Sequence, residues 1–92
     1  MAKYKIEYTR RFIKQARLCM KRGYDMSLLE RAIELLENKG SLPPSYKSHK
    51  LVGNFAGYWE CHLKPDWLLV WKQDFDKLIL IMTYTGTHAD LL

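Results

Sequence analysis

Nothing in this chain approaches the roughly 20 consecutive apolar residues that a membrane-spanning helix needs. Its most apolar segments, around Trp67–Trp71 and Leu78–Tyr84, are far shorter. No membrane partner is expected. The N-terminal Met1-Ala2-Lys3-Tyr4-Lys5 alternates apolar and charged residues and so lacks the apolar core of a secretory signal. Cysteine is scarce. Cys19 and Cys61 stand far apart at apolar-face positions, where they read as small buried hydrophobes rather than a disulfide. A cytoplasmic protein is the expectation. Repeats, low-complexity tracts and an interdomain linker are missing as well. The 92 residues are therefore expected to form one domain, 1–92, with a single core.

What is present is a globular composition, 48% hydrophobic and 27% charged, with a net charge of +5. The charge is unevenly placed. Residues 1–24 carry eight Lys/Arg against Glu7 alone, whereas residues 47–92 carry five basic and five acidic groups. An excess of this kind at one end suggests an anionic partner, either nucleic acid or an acidic protein; a merely solvated helix face is the plain alternative.

In chain order, Tyr4, Ile6 and Tyr8 alternate with Lys5 and Glu7 as in a half-buried strand. Thr9 is placed to cap a helix. In it Phe12, Ile13, Ala16, Cys19 and Met20 form the inward face and Arg10, Lys14, Arg17 and Lys21 the opposite one, with Gly23 ending it. A second helix, capped by Ser27 or Asp25, turns Leu29, Ala32, Ile33 and Leu36 inward and closes at Gly40. The short link between the two predicts an antiparallel helical hairpin. Residues 41–48, with Pro43-Pro44, form a crossing loop. Strands then follow at 58–63, after Asp66, and at 78–84, the last expected near the sheet centre, and the chain ends in a turn and a short tail. The order β-α-α-β-β-β predicts an α+β fold, a helical hairpin on one face of a small, mainly antiparallel twisted sheet.

The chemistry gathers in the second half. In an extended Tyr58–Leu63, Tyr58, Glu60 and His62 share one face and Trp59, Cys61 and Leu63 the other. Asp66 lies just around the Lys64-Pro65-Asp66 connection. His49, His62 and His88 each sit at an edge of secondary structure. Two chemistries want such a set. Zinc binding is one, but the separations of His49, His62, Asp66 and His88 are long and irregular. The other is metal-free cleavage of RNA, in which imidazoles serve as base and acid. Tyr46, Tyr58 and Trp67 are available to stack bases, and Lys/Arg to hold phosphates. An ordinary surface histidine on a solvated sheet face stands beside both readings.

Three runs carry a resemblance: Tyr46-Lys47-x-His49-x-Leu51-x-Gly53; Gly57-Tyr58-x-Glu60-x-His62-Leu63-x-Pro65-Asp66-Trp67-Leu68-Leu69-Val70; and Thr85-Gly86-Thr87-His88-Ala89-x-Leu91. With the basic first helix, the Asp25-Met26 helix start and the Leu42-Pro43-Pro44 loop, they resemble the YafQ-type toxins of the RelE/ParE superfamily. The resemblance implies a microbial RNase-like fold and a ribosome-dependent endoribonuclease that cuts mRNA in the A site without metal or cofactor. It also implies a cognate antitoxin as partner, besides ribosome and mRNA. By the same resemblance His49, His62, Asp66 and His88 fall on catalytic positions. The roles assigned to them here are His88 as the leaving-group acid, His49 or His62 as the base, and Asp66 orienting an imidazole or contacting substrate; spacing does not say which histidine does which job. Glu60, Trp67, Tyr46 and Leu92 fall on substrate-binding positions. Glu60 stands where relatives often carry Asp, and Leu92 where Phe is expected. The Arg10, Lys14, Arg17, Lys21 face is expected to contact ribosomal RNA. A ParE-like toxin that inhibits gyrase by binding is the alternative, and the histidine set speaks against it.

Overall fold

In the computed structural model, which describes residues 3–74 and 76–91, a helical hairpin covers one face of a five-stranded sheet. The elements are β1 (Lys5–Tyr8), α1 (Arg10–Lys21), α2 (Met26–Lys39), β2 (His49–Lys50), β3 (Tyr58–Lys64), β4 (Trp67–Asp74), β5 (Ile79–Gly86) and α3 (His88–Leu91). Single 3₁₀ turns at Pro44–Tyr46 and Gly53–Phe55 punctuate the connection through β2. The sheet order is β1-β5-β4-β3-β2; β1 runs parallel to β5 and every other pair is antiparallel. Among the described residues no helix is long and apolar enough to cross a membrane.

Local chemistry sets the helix ends. Thr9 Oγ1 accepts from the Phe12 N–H at 3.0 Å and donates to the Thr83 carbonyl at 3.0 Å, so one hydroxyl caps α1 and pins it to β5. Asp25, not Ser27, caps α2, accepting from the Ser27 N–H at 3.1 Å. Gly40 ends α2 at φ +72°, and the Tyr4 ring fills the space a Cβ there would need. The helices lie over the sheet, α1 against β5 and α2 against β3. Phe12, Cys19, Leu29, Ala32 and Leu36 meet Cys61, Trp67, Leu69, Trp71, Leu80 and Met82 in the core.

Three sequence expectations are revised and one stands. Strand β5 lies near the sheet centre as expected, beside the central β4, whose run Trp67–Trp71 is buried at every position. Ile13 and Met20 of α1 are exposed, because the helix rests on β5 through Phe12 and Cys19 and its apolar stripe is wider than that contact. Trp59 is half-buried rather than core; its ring lies nearly parallel to that of Trp71, with centroids 6.4 Å apart. The chain end is not an irregular tail, because Thr87 and Asp90 start a helical turn there.

Candidate active site

Strand register assembles the cluster. His49 of β2 pairs with Glu60 of β3, Glu60 with Val70 of β4, and His62 with Leu68. Paired residues point to the same side, so His49, Glu60 and His62 share the face opposite the one where Cys61, Leu69 and Trp71 meet the helices. His62 stands in the middle. Its ring centroid is 6.3 Å from that of His49 and 6.0 Å from that of His88. Residues separated by most of the second half of the chain therefore form one line of three imidazoles.

Each outer imidazole has a carboxylate. Asp66, in the β3–β4 turn, accepts from the His88 backbone N–H at 3.3 Å and contacts His88 Nδ1 at 3.0 Å, both through Oδ1. A carboxylate accepts, so Nδ1 carries the hydrogen and Nε2 is left on the outer side of the ring. The His88 side-chain hydrogen bond, then the backbone one, holds the Asp66 carboxyl below its ordinary value. At the other end, His49 Nε2 lies 3.3 Å from Glu60 Oε1, and Nδ1 lies 3.1 Å from the Lys47 carbonyl oxygen. Both ring nitrogens of His49 thus face acceptors. Among the described residues none hydrogen-bonds the His62 ring. Behind it Cys61 is fully buried, and burial pushes its thiol up to about 12. It is an inert wall, not a nucleophile.

The predicted catalytic set is brought together. His49, Asp66 and His88 are exposed and His62 is half-exposed. The substrate-binding set is not uniform. Tyr46 is half-exposed and lines, with Leu28, Ser45, His62 and Leu63, a hollow of about 200 Å³. Glu60 is buried and turned to His49, so it supports the cluster from below. Trp67 is a correction. The residue is 2% exposed, its Nε1–H donates to Thr85 Oγ1 at 2.9 Å, and Tyr24 meets its ring edge-on with centroids 4.9 Å apart. Alternation along β4 puts Trp67 on the same face as Leu69 and Trp71, so the indole lies in the core, where its face is not open to a base. Leu92 lies outside the described residues.

On α1, Lys14, Arg17 and Lys21 line a shallow groove of about 500 Å³ with Arg11, Gln15 and Leu18; Arg10 is exposed outside it. Two site-bearing residues were not singled out from sequence. Arg22 and Asp90 form a two-point ion pair, at 2.8 and 3.3 Å, next to His88. Thr87-x-x-Asp90 has the spacing of a capping box, a readable signal; its pairing to a residue of α1 left none. Among the described residues no three His, Cys, Asp or Glu side chains are grouped to hold a metal ion.

Comparison with known proteins adds three relatives and a family. The family described as "Bacterial toxin of type II toxin-antitoxin system, YafQ" matches residues 4–92. The mRNA interferase toxin YafQ of Escherichia coli K12 is 44% identical over 87 residues, covering 94% of this chain and 92% of that protein. A crystal structure of the Escherichia coli DinJ–YafQ complex contains a chain that superposes with a TM-score of 0.87 at 41% identity, covering 97% of this chain and 98% of that one. A metal-bound toxin from Helicobacter pylori superposes with a TM-score of 0.88 at 35% identity over the whole of both chains.

Proposed function

This chain belongs to the YafQ family of bacterial toxins from type II toxin–antitoxin systems, and on that premise we propose that it is an endoribonuclease that cuts mRNA in the A site of the ribosome. The observation that carries the reading is the line of imidazoles with Asp66 bound to His88 at its outer end. Cleavage by attack of the neighbouring 2′-hydroxyl needs two proton transfers. A base takes the 2′-hydroxyl proton, O2′ attacks phosphorus, and the P–O5′ bond breaks as an acid protonates the leaving O5′. The products are a 2′,3′-cyclic phosphate and a 5′-hydroxyl end.

The geometry favours a division of labour. Asp66 orients His88, accepting at Nδ1 so that Nε2 is turned outward, and His88 is the acid. His62, whose ring has no partner among the described residues, is the base. His49, with both nitrogens facing acceptors, sits on the side of the developing phosphorane charge. Tyr46 borders the same hollow as His62 and offers a stacking face for a base. Arg10, Lys14, Arg17 and Lys21 hold ribosomal RNA, and a cognate antitoxin keeps the toxin silent, as the DinJ–YafQ complex suggests by analogy. No cofactor or metal enters these steps.

The test is single-turnover cleavage of ribosome-bound mRNA by wild type, His62→Ala and His88→Ala, with mapped ends and parallel melting curves. Loss of acid or base typically costs 10²–10⁴-fold, and a chelator is expected to leave the wild-type rate unchanged. Variants that fold and cleave within a few-fold of wild type remove these histidines from the chemistry. A chelator-sensitive rate removes the metal-free mechanism.

A further inference from the structure

His88 opens a helix of a single turn, and one turn is not stable by itself. Three sets of bonds hold it. The Asp90 N–H donates to Thr87 Oγ1 at 3.1 Å while the Thr87 N–H donates to Asp90 Oδ2 at 3.0 Å, a reciprocal cap. Tyr84 OH donates to the Thr87 carbonyl at 2.8 Å. Arg22, just past the end of α1, grips the same carboxylate from outside, Nη1 to Oδ2 at 2.8 Å and Nη2 to Oδ1 at 3.3 Å. The packing is tight: at Gly86, where φ is +152°, an added Cβ would lie 3.0 Å from Asp90 Oδ2 and 3.1 Å from Tyr84 OH.

We infer that Arg22 and Asp90 are a positioning pair for the cleavage reaction, anchoring α3 to α1 so that the His88 ring is held against Asp66. The inference rests on the reading of His88 as the acid. Neither residue touches the reacting atoms. Arg22 is not needed to end α1 by its side chain, because its backbone N–H already closes on the Leu18 carbonyl. Asp90 meets the needs of the cap with Oδ2 alone, yet presents both oxygens to the guanidinium, the two-point geometry that fixes orientation as well as distance. The His88 ring depends on the helix it starts. Its bond to Asp66 couples the β3–β4 turn to the chain end, and the Arg22 contact ties that end to the helical layer through a side-chain pair. The charge state agrees: the Arg22 hydrogen bond keeps the Asp90 carboxyl well below the usual carboxylate range, and the same bond raises Arg22.

The experiment compares Arg22→Gln, Asp90→Asn, the double variant and the conservative Arg22→Lys with wild type and His88→Ala. All are assayed in single turnover across ribosome concentration, at a temperature where melting curves show each one folded. The side-chain carboxyl of Asp66 is titrated by carbon NMR in the same proteins. Arg22→Gln and Asp90→Asn are expected to slow cleavage about 10- to 100-fold, the scale of a reacting group displaced by about 1 Å. The half-saturating ribosome concentration should be unchanged. The double variant should be no slower than the slower single one, because both break one contact, and Arg22→Lys should recover part of the rate. The Asp66 carboxyl should titrate closer to its ordinary range once His88 is no longer held to it. Unchanged Asp66 titration, a loss confined to ribosome affinity, additive losses or a wild-type rate would each overturn the proposal. Failure of the acid assignment looks different: His88→Ala then cleaves like wild type, while the Asp66 titration still reports whether the pair holds the ring.

Discussion

Replacing Trp67 by Phe separates two roles that a large aromatic beside a nuclease site can play. Trp67 is buried, and its Nε1–H donates to Thr85 Oγ1, which in turn donates to the Leu68 carbonyl at 2.9 Å. Phe removes the donor and leaves a fully buried Thr85 oxygen with an unfilled acceptor site, at a cost of about 1–3 kcal/mol. The smaller ring leaves a partial void beneath Tyr24, for about 1 kcal/mol more. A total of about 3 kcal/mol corresponds to a fall in Tm of roughly 12–24 °C for a domain of this size. Thr85→Val is the partner change: it leaves the indole N–H unpaired and should cost about 1–3 kcal/mol. Combined in a cycle, the two should cost less than their sum by about 1 kcal/mol, since the second removes a bond already broken. Thermal denaturation of the four proteins gives these numbers, and single-turnover cleavage well below the lowest Tm gives the second half of the answer. For a core tryptophan, Trp67→Phe cleaves within a few-fold of wild type while its Tm collapses. An unchanged Tm with cleavage lost 100-fold would refute the burial argument and return Trp67 to the substrate.

Two further outcomes follow from the surface and the acids. Arg17→Glu with Lys21→Glu reverses two charges in the groove on α1 and should weaken ribosome binding with a shallower salt dependence, since each phosphate contact contributes up to about one unit of log–log slope; ribosome co-sedimentation unchanged across a salt series would count against RNA on this face. Asp25, Asp66 and Asp90 all have carboxyls depressed by hydrogen bonds in the folded state, from Ser27, His88 and Arg22 respectively. A depressed carboxyl adds stability above its unfolded pKa and loses it as pH falls through the folded one. Urea midpoints should therefore drop steadily as pH falls below about 4, and Asp90→Asn should flatten that drop; a variant as acid-sensitive as wild type would remove the Arg22 contact from the account.

The parts of this molecule that could be read in advance are those governed by local periodicity. The spacing of Phe12, Ala16 and Cys19, the Thr9 cap and the alternation of Glu60 and His62 against Cys61 depend on neighbours within a turn or a strand, and they stand as expected. What was not legible depends on pairing and packing between distant segments. β1 pairs parallel with the last strand and so makes that strand interior; no spacing within either strand encodes the pairing. Ile13 and Met20 have the helical phase of core residues, yet α1 meets β5 over a contact narrower than its apolar stripe. Trp67 looked available because it follows a polar turn, yet its alternation with Leu69 and Trp71 along β4 turns it into the core.

The candidate site repeats this division at closer range. His62 could be placed on a face from its own strand, but its company could not. The approach of His49 comes from the β2–β3 pairing, and that of His88 from a one-turn helix fastened to Asp66 on one side and to Arg22 on the other. Histidines spread along a chain carry little information singly, since a surface imidazole needs no explanation. Their meaning arises from the line they form once the sheet closes, with a carboxylate at each end and a ring without a partner among the described residues in the middle. Proton transfer in two directions across one phosphate needs two rings in different states. In the proposed mechanism the carboxylate orients His88 as the acid while His62, 6.0 Å away between ring centroids, is left open to act as the base.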